Sequence, residues 1–158
     1  MNKKTVISIF VIVFCFTLTY VQIANAQEQE QTTYNKNLVS NFFELLSNGE
    51  IDRAFYLVND DVSWWVPGDL PFSGTKNKNQ YLQIVGNIQK GFPQGLKLKV
   101  KSMISENNKV AAEVESDGVH INGKKYNNKY HFLITIENNS IIAVKEYMDT
   151  LHLYQLIQ

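Results

Sequence analysis

An α+β domain, with its helices gathered on one face of a mostly antiparallel sheet, is the fold class the sequence predicts. Three observations carry that reading. Apolar residues recur at spacings of three and four through the first part of the chain, as far as Phe92. From Gly95 the period drops to two and stays there for most of the remaining sequence. Asn-Gly and Asn-Asn pairs punctuate that second part where hairpins are expected to turn. Helices first and strands afterwards exclude a parallel, doubly wound sheet and leave a four-strand meander covered on one side.

The first 26 residues stand apart from this domain. A basic start, "MNKK", precedes the uncharged apolar run "VISIFVIVFCFTLTYVQI", and Ala24 to Ala26 place small residues where signal peptidase reads. The run is long enough to span a bilayer, so a retained anchor is the alternative. No cluster of Lys or Arg follows it, and "QEQEQ" is polar and acidic. The expectation is a signal peptide, residues 1–26, cleaved after Ala26, with export to the periplasm or medium and no membrane contact afterwards. Gln27 to Gln158 is then one domain by size. Losing Lys3 and Lys4 from 15 basic residues leaves 13 against 15 acidic ones, a net charge of −2, which argues against a nucleic-acid partner. Cys15, the only cysteine, leaves with the signal, so the mature domain relies on its apolar core.

Each element is legible in order. Residues 27–31 read as a disordered lead-in to a single domain, 32–158. From Thr32, Leu38, Phe42, Leu45 and Leu46 mark a helix that Asn48-Gly49 ends. Ile51, Ala54, Phe55 and Val58 predict a short second helix. "DVSWWV" reads as a strand stopped by Pro67-Gly68, and "DLPFSGT" as turn chemistry with room for a very short strand. A third helix presents Tyr81, Leu82, Val85 and Ile88. In "LKLKVKSMI", Leu96, Leu98 and Val100 face in while Lys97, Lys99 and Lys101 face out; "KVAAEVES" turns Val110, Ala112 and Val114 inward. Asn122-Gly123 predicts a two-residue turn with both central residues at positive φ. "NNKYHFLITIE", the Asn138-Asn139 turn and "IIAVKEYMDT" complete the meander, and a short helix from Thr150 closes the chain.

The last strand carries a charge on its apolar side. Strict alternation puts Ile142, Val144, Glu146 and Met148 on one face and Ile141, Ala143, Lys145, Tyr147 and Asp149 on the other. A carboxylate among Ile, Val and Met either meets water or looks into a pocket.

Three stretches, "WWVPGDLPFSGT", "VESDGVHINGKKYNNKYHFLITIENNSIIAVKEYMDT" and the helical first third, resemble the SnoaL-like branch of the nuclear transport factor 2-like superfamily, the hairpin "NGKKYNNKYHF" and the closing "KEYMDT" most specifically. The resemblance covers about Thr32 to Ile157. It implies a cone: a strongly curved sheet wrapped around three N-terminal helices, closed by a short C-terminal helix, with an apolar pocket inside. It also implies that Tyr130, Phe132 and Ile134 on one strand and Val144, Glu146 and Met148 on the next face that pocket, with Trp64 or Trp65 and Phe72 at its mouth. The relatives' machinery carries over poorly. Val66 stands where ketosteroid isomerases place their general base, Tyr130 or His131 where they place a second acid, and "NNKY" lacks the Arg-x-Asp of limonene epoxide hydrolases.

Within such a cone Glu146 is the foremost candidate. Desolvation should raise its pKa and make it a usable acid or base near neutrality, with Tyr130 as the partner hydroxyl. A structural pairing of Glu146 with a Lys or Tyr is the competing reading, and on the functional one Glu146→Leu should stabilise the fold. Asp149 or Thr150 caps the last helix. Trp64 and Trp65 must face opposite sides. His120, beside the hairpin tip, is a candidate to overhang the pocket mouth, against the favoured reading of an exposed, non-catalytic histidine. With His131 and His152 it shows no metal-ligand spacing, so no metal is expected. There is no phosphate loop, Gly-x-Ser-x-Gly or nucleophilic Cys. The expected function is an exported pocket protein for a small hydrophobic or polyketide-like molecule, working without cofactors as an acid–base isomerase, cyclase or hydrolase. The alternatives are a ligand carrier or sensor without turnover, and an interaction module or homodimer using the outer sheet face.

Overall fold

A computed structural model describes residues 3–156 and 158, with side-chain surroundings from Tyr20 onward. The side chains of the expected signal segment as far as Thr19 therefore lie outside the described residues. Among the described residues no helix is long and apolar enough to cross a membrane. Helix α1 runs Lys3–Ser47. Neither Gly nor Pro interrupts it, so residues 27–31, expected as a disordered lead-in, are helical and exposed. Its last turns bury Leu38, Val39, Phe42, Phe43, Leu45 and Leu46.

Two short helices frame the site from the helical side. Helix α2, Ile51–Tyr56, buries Ala54 and Phe55. Helix α3, Lys78–Lys90, opens on a capping box in which Asn77 and Gln80 satisfy each other's backbone amides, which fixes where its first turn begins. That first turn carries Tyr81, the helix's one buried residue.

The sheet wraps these helices in the order β2-β1-β7-β6-β4-β3, with a two-residue β5 (Lys125–Tyr126) paired to β4. Strands β3 (Lys97–Glu106), β4 (Lys109–Val119), β6 (Lys129–Glu137) and β7 (Ser140–Met148) form the predicted antiparallel meander. Strand β1, Val58–Val66, then adds to β7 in parallel, and β2, Gly74–Lys76, pairs antiparallel with β1. The parallel addition has no local turn to announce it, which is why sequence reasoning read β1 as a strand without assigning it a partner. Val58, expected to end the second helix, instead opens β1 opposite Ile141.

Two irregularities correct the strict alternation. A bulge between Val100 and Ser102 reverses the facing of β3, so Met103 is half-buried and Ile104 is 74% exposed. A second, between Thr135 and Ile136, pairs Ile136 with Ile141, so Ile141 is buried instead of Ile142. Beyond it Val144 and Glu146 recover the expected side. The turns also exchange roles: Asn138 and Asn139 both have positive φ (48° and 61°), whereas at the other turn only Gly123 does (81°). There His120 N–H donates to the Lys124 carbonyl, closing a longer loop. Helix α4, Thr150–Leu156, is capped by the Asp149 carboxylate, which accepts from His152 N–H at 3.0 Å.

Candidate functional site

The carboxylate on the apolar face looks inward. Glu146 is 4% exposed, opposite Phe132 on β6. It borders a cavity of about 90 Å³ lined by the sheet and helices α1, α3 and α4. Oε2 accepts from Trp64 Nε1 at 2.8 Å and from the Tyr81 hydroxyl. Oε1 has no hydrogen-bond partner among the described residues. Trp64 and Tyr81 stack at a centroid distance of 3.8 Å and 16° between planes, so their polar ends reach the same oxygen from a common apolar slab. Phe55 and Phe42 pack against Trp64 and hold that slab in place.

Burial raises the pKa of Glu146, and the hydrogen bonds from Tyr81 and Trp64 offset part of that rise. Tyr81 is held well above the ordinary phenol value, first by burial and then by the charge of Glu146 beside it. Burial therefore favours the protonated carboxyl, against the two donors that stabilise its charged form.

A second polar cluster lines the same cavity. The Tyr126 and Tyr130 hydroxyls lie 2.8 Å apart, and Asn128 Nδ2 donates to the Tyr126 oxygen at 2.9 Å. Asn128 Oδ1 accepts from Lys129 N–H and Asp149 N–H, and Nδ2 donates also to the Asp149 carbonyl, so backbone groups fix the amide orientation. Burial holds Tyr130 well above its ordinary value, and the neighbouring Tyr126 adds to this. Tyr130 faces Met148, making it the diagonal neighbour of Glu146 on one face, on the order of 7 Å away.

Of the sequence-predicted residues, Glu146, Tyr130, Trp64, Phe72, Phe132 and Met148 all border the cavity. Val144 does not: it is buried between its register partners Trp64 and Ile134, in the closed core. His120 does not reach it either. Its ring packs edge-on to Phe92 and over Gly91, where any Cβ would lie 2.5 Å from Nε2, and it borders a separate outer pocket. The hydroxyl expected from Tyr130 at the carboxylate is supplied by Tyr81, while Tyr130 pairs with Tyr126. Trp65 faces the outside, edge-on to Tyr147, as alternation requires of one tryptophan. Three functional candidates were missed. Tyr81 gave only a helical core signal; Tyr126 and Asn128 continue the parity of Tyr130 and Phe132 backwards, and extending the alternation through "KYNNKY" finds them.

A SnoaL-like domain model matches residues 39–144, two thirds of the chain. The chain belongs to the SnoaL-like family. No curated protein matches its sequence. Solved structures show the same nuclear transport factor 2-like fold. A nuclear transport factor 2-like protein of unknown function from Burkholderia pseudomallei superposes with a TM-score of 0.69 at 16% identity, over 79% of this chain and 98% of its own. TerC, crystallised with polyporic acid, gives 0.68 at 16% identity, covering 78% and 98%. Wild-type IdmH of Streptomyces antibioticus, provisionally assigned as a polyketide cyclase, gives 0.66 at 14% identity, covering 78% and 97%. At these identities the likeness is one of fold, and the SnoaL-like architecture leaves its chemistry to the residues in the cavity.

Proposed function

We propose that this SnoaL-like protein is an exported acid–base catalyst acting on a small apolar, carbonyl-bearing molecule of polyketide-like character. The observation that carries the proposal is the asymmetric carboxylate. Oε2 of Glu146 is held by two donors, Oε1 is left without a partner, and desolvation favours the protonated form. Such a group takes a proton from a carbon acid at Oε1 and returns it to another position, as an isomerase or cyclase requires. Tyr130, diagonally across the strand pair, donates to the carbonyl oxygen as negative charge develops there. Proton transfer of this kind needs only these side chains. TerC, crystallised with polyporic acid, and IdmH, provisionally assigned as a polyketide cyclase, support a substrate of that kind.

Hydrogen–deuterium exchange at the α-carbon of 2-tetralone, followed by NMR, tests the chemistry. Wild type should accelerate exchange, and Glu146→Gln should lose about 10²–10⁴-fold of that rate while remaining folded. Binding of the ketone with no exchange in wild type would replace catalysis with carriage. Export is tested by N-terminal sequencing of protein recovered outside the cytoplasm, which should begin at Gln27.

A further inference from the structure

The Glu146 cavity is small for the substrate class just proposed. At about 90 Å³ it falls below the ~150 Å³ of an apolar cavity that takes up one benzene ring. A second pocket of about 270 Å³ adjoins it, lined by Pro71, Phe92, Asn87, His120 and Leu156 among others, and is more open to solvent. Four residues, Phe72, Ile84, Ile88 and Leu153, border both spaces. The partition is thus one side chain thick and wholly apolar. Moving it breaks no hydrogen bond and needs only rotamer changes on a loop and two helices.

The elements around the outer pocket are held more firmly than the partition. The hairpin tip is tied to α3 by Ile121 N–H donating to the Gly91 carbonyl at 2.7 Å. It is tied to the end of α4 by Asn122 Nδ2 to the Leu156 carbonyl and Lys124 Nζ to the Gln155 carbonyl. Asn128 fixes the other end of α4 through Asp149. Leu153 projects from the middle of a helix anchored at both ends, so the frame stays while the side chains between the two spaces yield.

We infer that the two spaces form one bipartite site for an elongated molecule of about two ring units, with Phe72, Ile84, Ile88 and Leu153 as its specificity-determining waist. The hydrogen-bonding end of the ligand lies in the inner chamber against Tyr130 and Glu146. Its apolar body passes the waist and rests on Phe92 and Leu156. His120 stands at the outer rim, where a second polar group on the distal ring meets a donor or acceptor. This deepens the reading of the Glu146 site and rests on it for the position of the polar end.

Phenol and 4-phenylphenol, which share one polar end and differ by a ring, separate the chambers. The full mature chain should bind 4-phenylphenol at least about tenfold more tightly than phenol. Nuclear Overhauser contacts should place the distal ring against Phe92 and Leu156. Asn87→Trp, at an exposed position, narrows only the outer pocket. It should abolish the advantage of the larger phenol and leave phenol affinity unchanged. Leu153→Ala should widen the waist and strengthen 4-phenylphenol selectively. Equal losses for both phenols in Asn87→Trp, or a distal ring in contact with other residues, overturns the bipartite site. Two-chamber binding in a protein that fails to exchange 2-tetralone would remove the catalytic reading and leave this one standing. Exchange with no distal-ring contact to Phe92 would do the reverse.

Discussion

Two polar clusters line one cavity, and they are built on different principles. Glu146, Trp64 and Tyr81 come from three separate elements, and the hydrogen bonds that join them run between side chains. Tyr130, Tyr126 and Asn128 lie within five residues, and Asn128 ties them to the backbone of Lys129 and Asp149. The first cluster contains an ionisable group with a free oxygen; the second ends in a fixed amide. A side-chain cluster can be altered without disturbing the chain path, whereas an amide spliced into the backbone network cannot. The Asn128 cluster is therefore principally architectural, and the Glu146 cluster principally chemical.

The largest expected effect breaks the architectural side. Asn128→Ala withdraws partners from Lys129 N–H, Asp149 N–H, the Asp149 carbonyl and the Tyr126 hydroxyl at once. It should cost about 3 kcal/mol in urea unfolding and loosen α4, which Asp149 caps. A loss under about 1 kcal/mol would show that water replaces the amide easily and that the contrast between clusters is overstated.

The division between legible and illegible residues follows the same line. Alternation along β6 and β7 found Tyr130, Phe132, Glu146 and Met148 because a two-residue period survives as long as no bulge intervenes, and the bulge at Thr135/Ile136 lies on the far side of them. It misassigned Ile141 and Ile142, because the register skips Ile142 at that bulge. Trp64 was readable only as one of an adjacent pair. Its partnership with Glu146 depends on β1 joining β7 in parallel across 82 residues of sequence, a pairing with no local signature. Tyr81 was invisible as a carboxylate partner because a helical period reports that a residue faces inward and nothing about what it meets there. The helix-first order and the meander were legible since turns and periodicity are local; the curvature of the sheet was legible only through the family resemblance, and the pairing of β1 with β7 not at all.

The next effect corrects a sequence-based expectation. Glu146→Leu was expected to stabilise the fold by relieving a buried acid. It leaves Trp64 Nε1–H and the Tyr81 hydroxyl facing hydrocarbon, and each orphaned donor costs ~1–3 kcal/mol. A net loss of about 2 kcal/mol is expected after the apolar gain. A more stable variant would mean that both donors find other partners. Smaller again, Tyr81→Phe removes one hydrogen bond at about 1 kcal/mol. Because that bond lowers the Glu146 pKa, its loss should push the carboxyl further up, visible by carbon-detected titration of the labelled side chain. A downward movement would contradict the assignment of Tyr81 as donor.

The smallest stability effect is the most discriminating, because it isolates charge from shape. Glu146→Gln preserves volume and an oxygen able to accept from both Trp64 and Tyr81, so at acidic pH, where native Glu146 is protonated, the two proteins should unfold almost alike. Burial places the folded pKa of Glu146 above its unfolded value. Between those values the folded state holds more protons than the unfolded one, so wild-type stability falls as pH rises through that window. The contribution of this group is fully present below the ordinary glutamate range and is lost once the folded carboxyl ionises. Glutamine has no such dependence. The variant should therefore gain on wild type from the ordinary glutamate range upward, and the gap should level off above the folded pKa. Urea unfolding of both proteins at stepped pH measures the difference directly, with any other titrating groups common to the two curves. Parallel curves would mean that Glu146 ionises in the folded protein as it does in the unfolded chain, making it half of a structural pair with Tyr81 and removing the physical basis for its part in proton transfer.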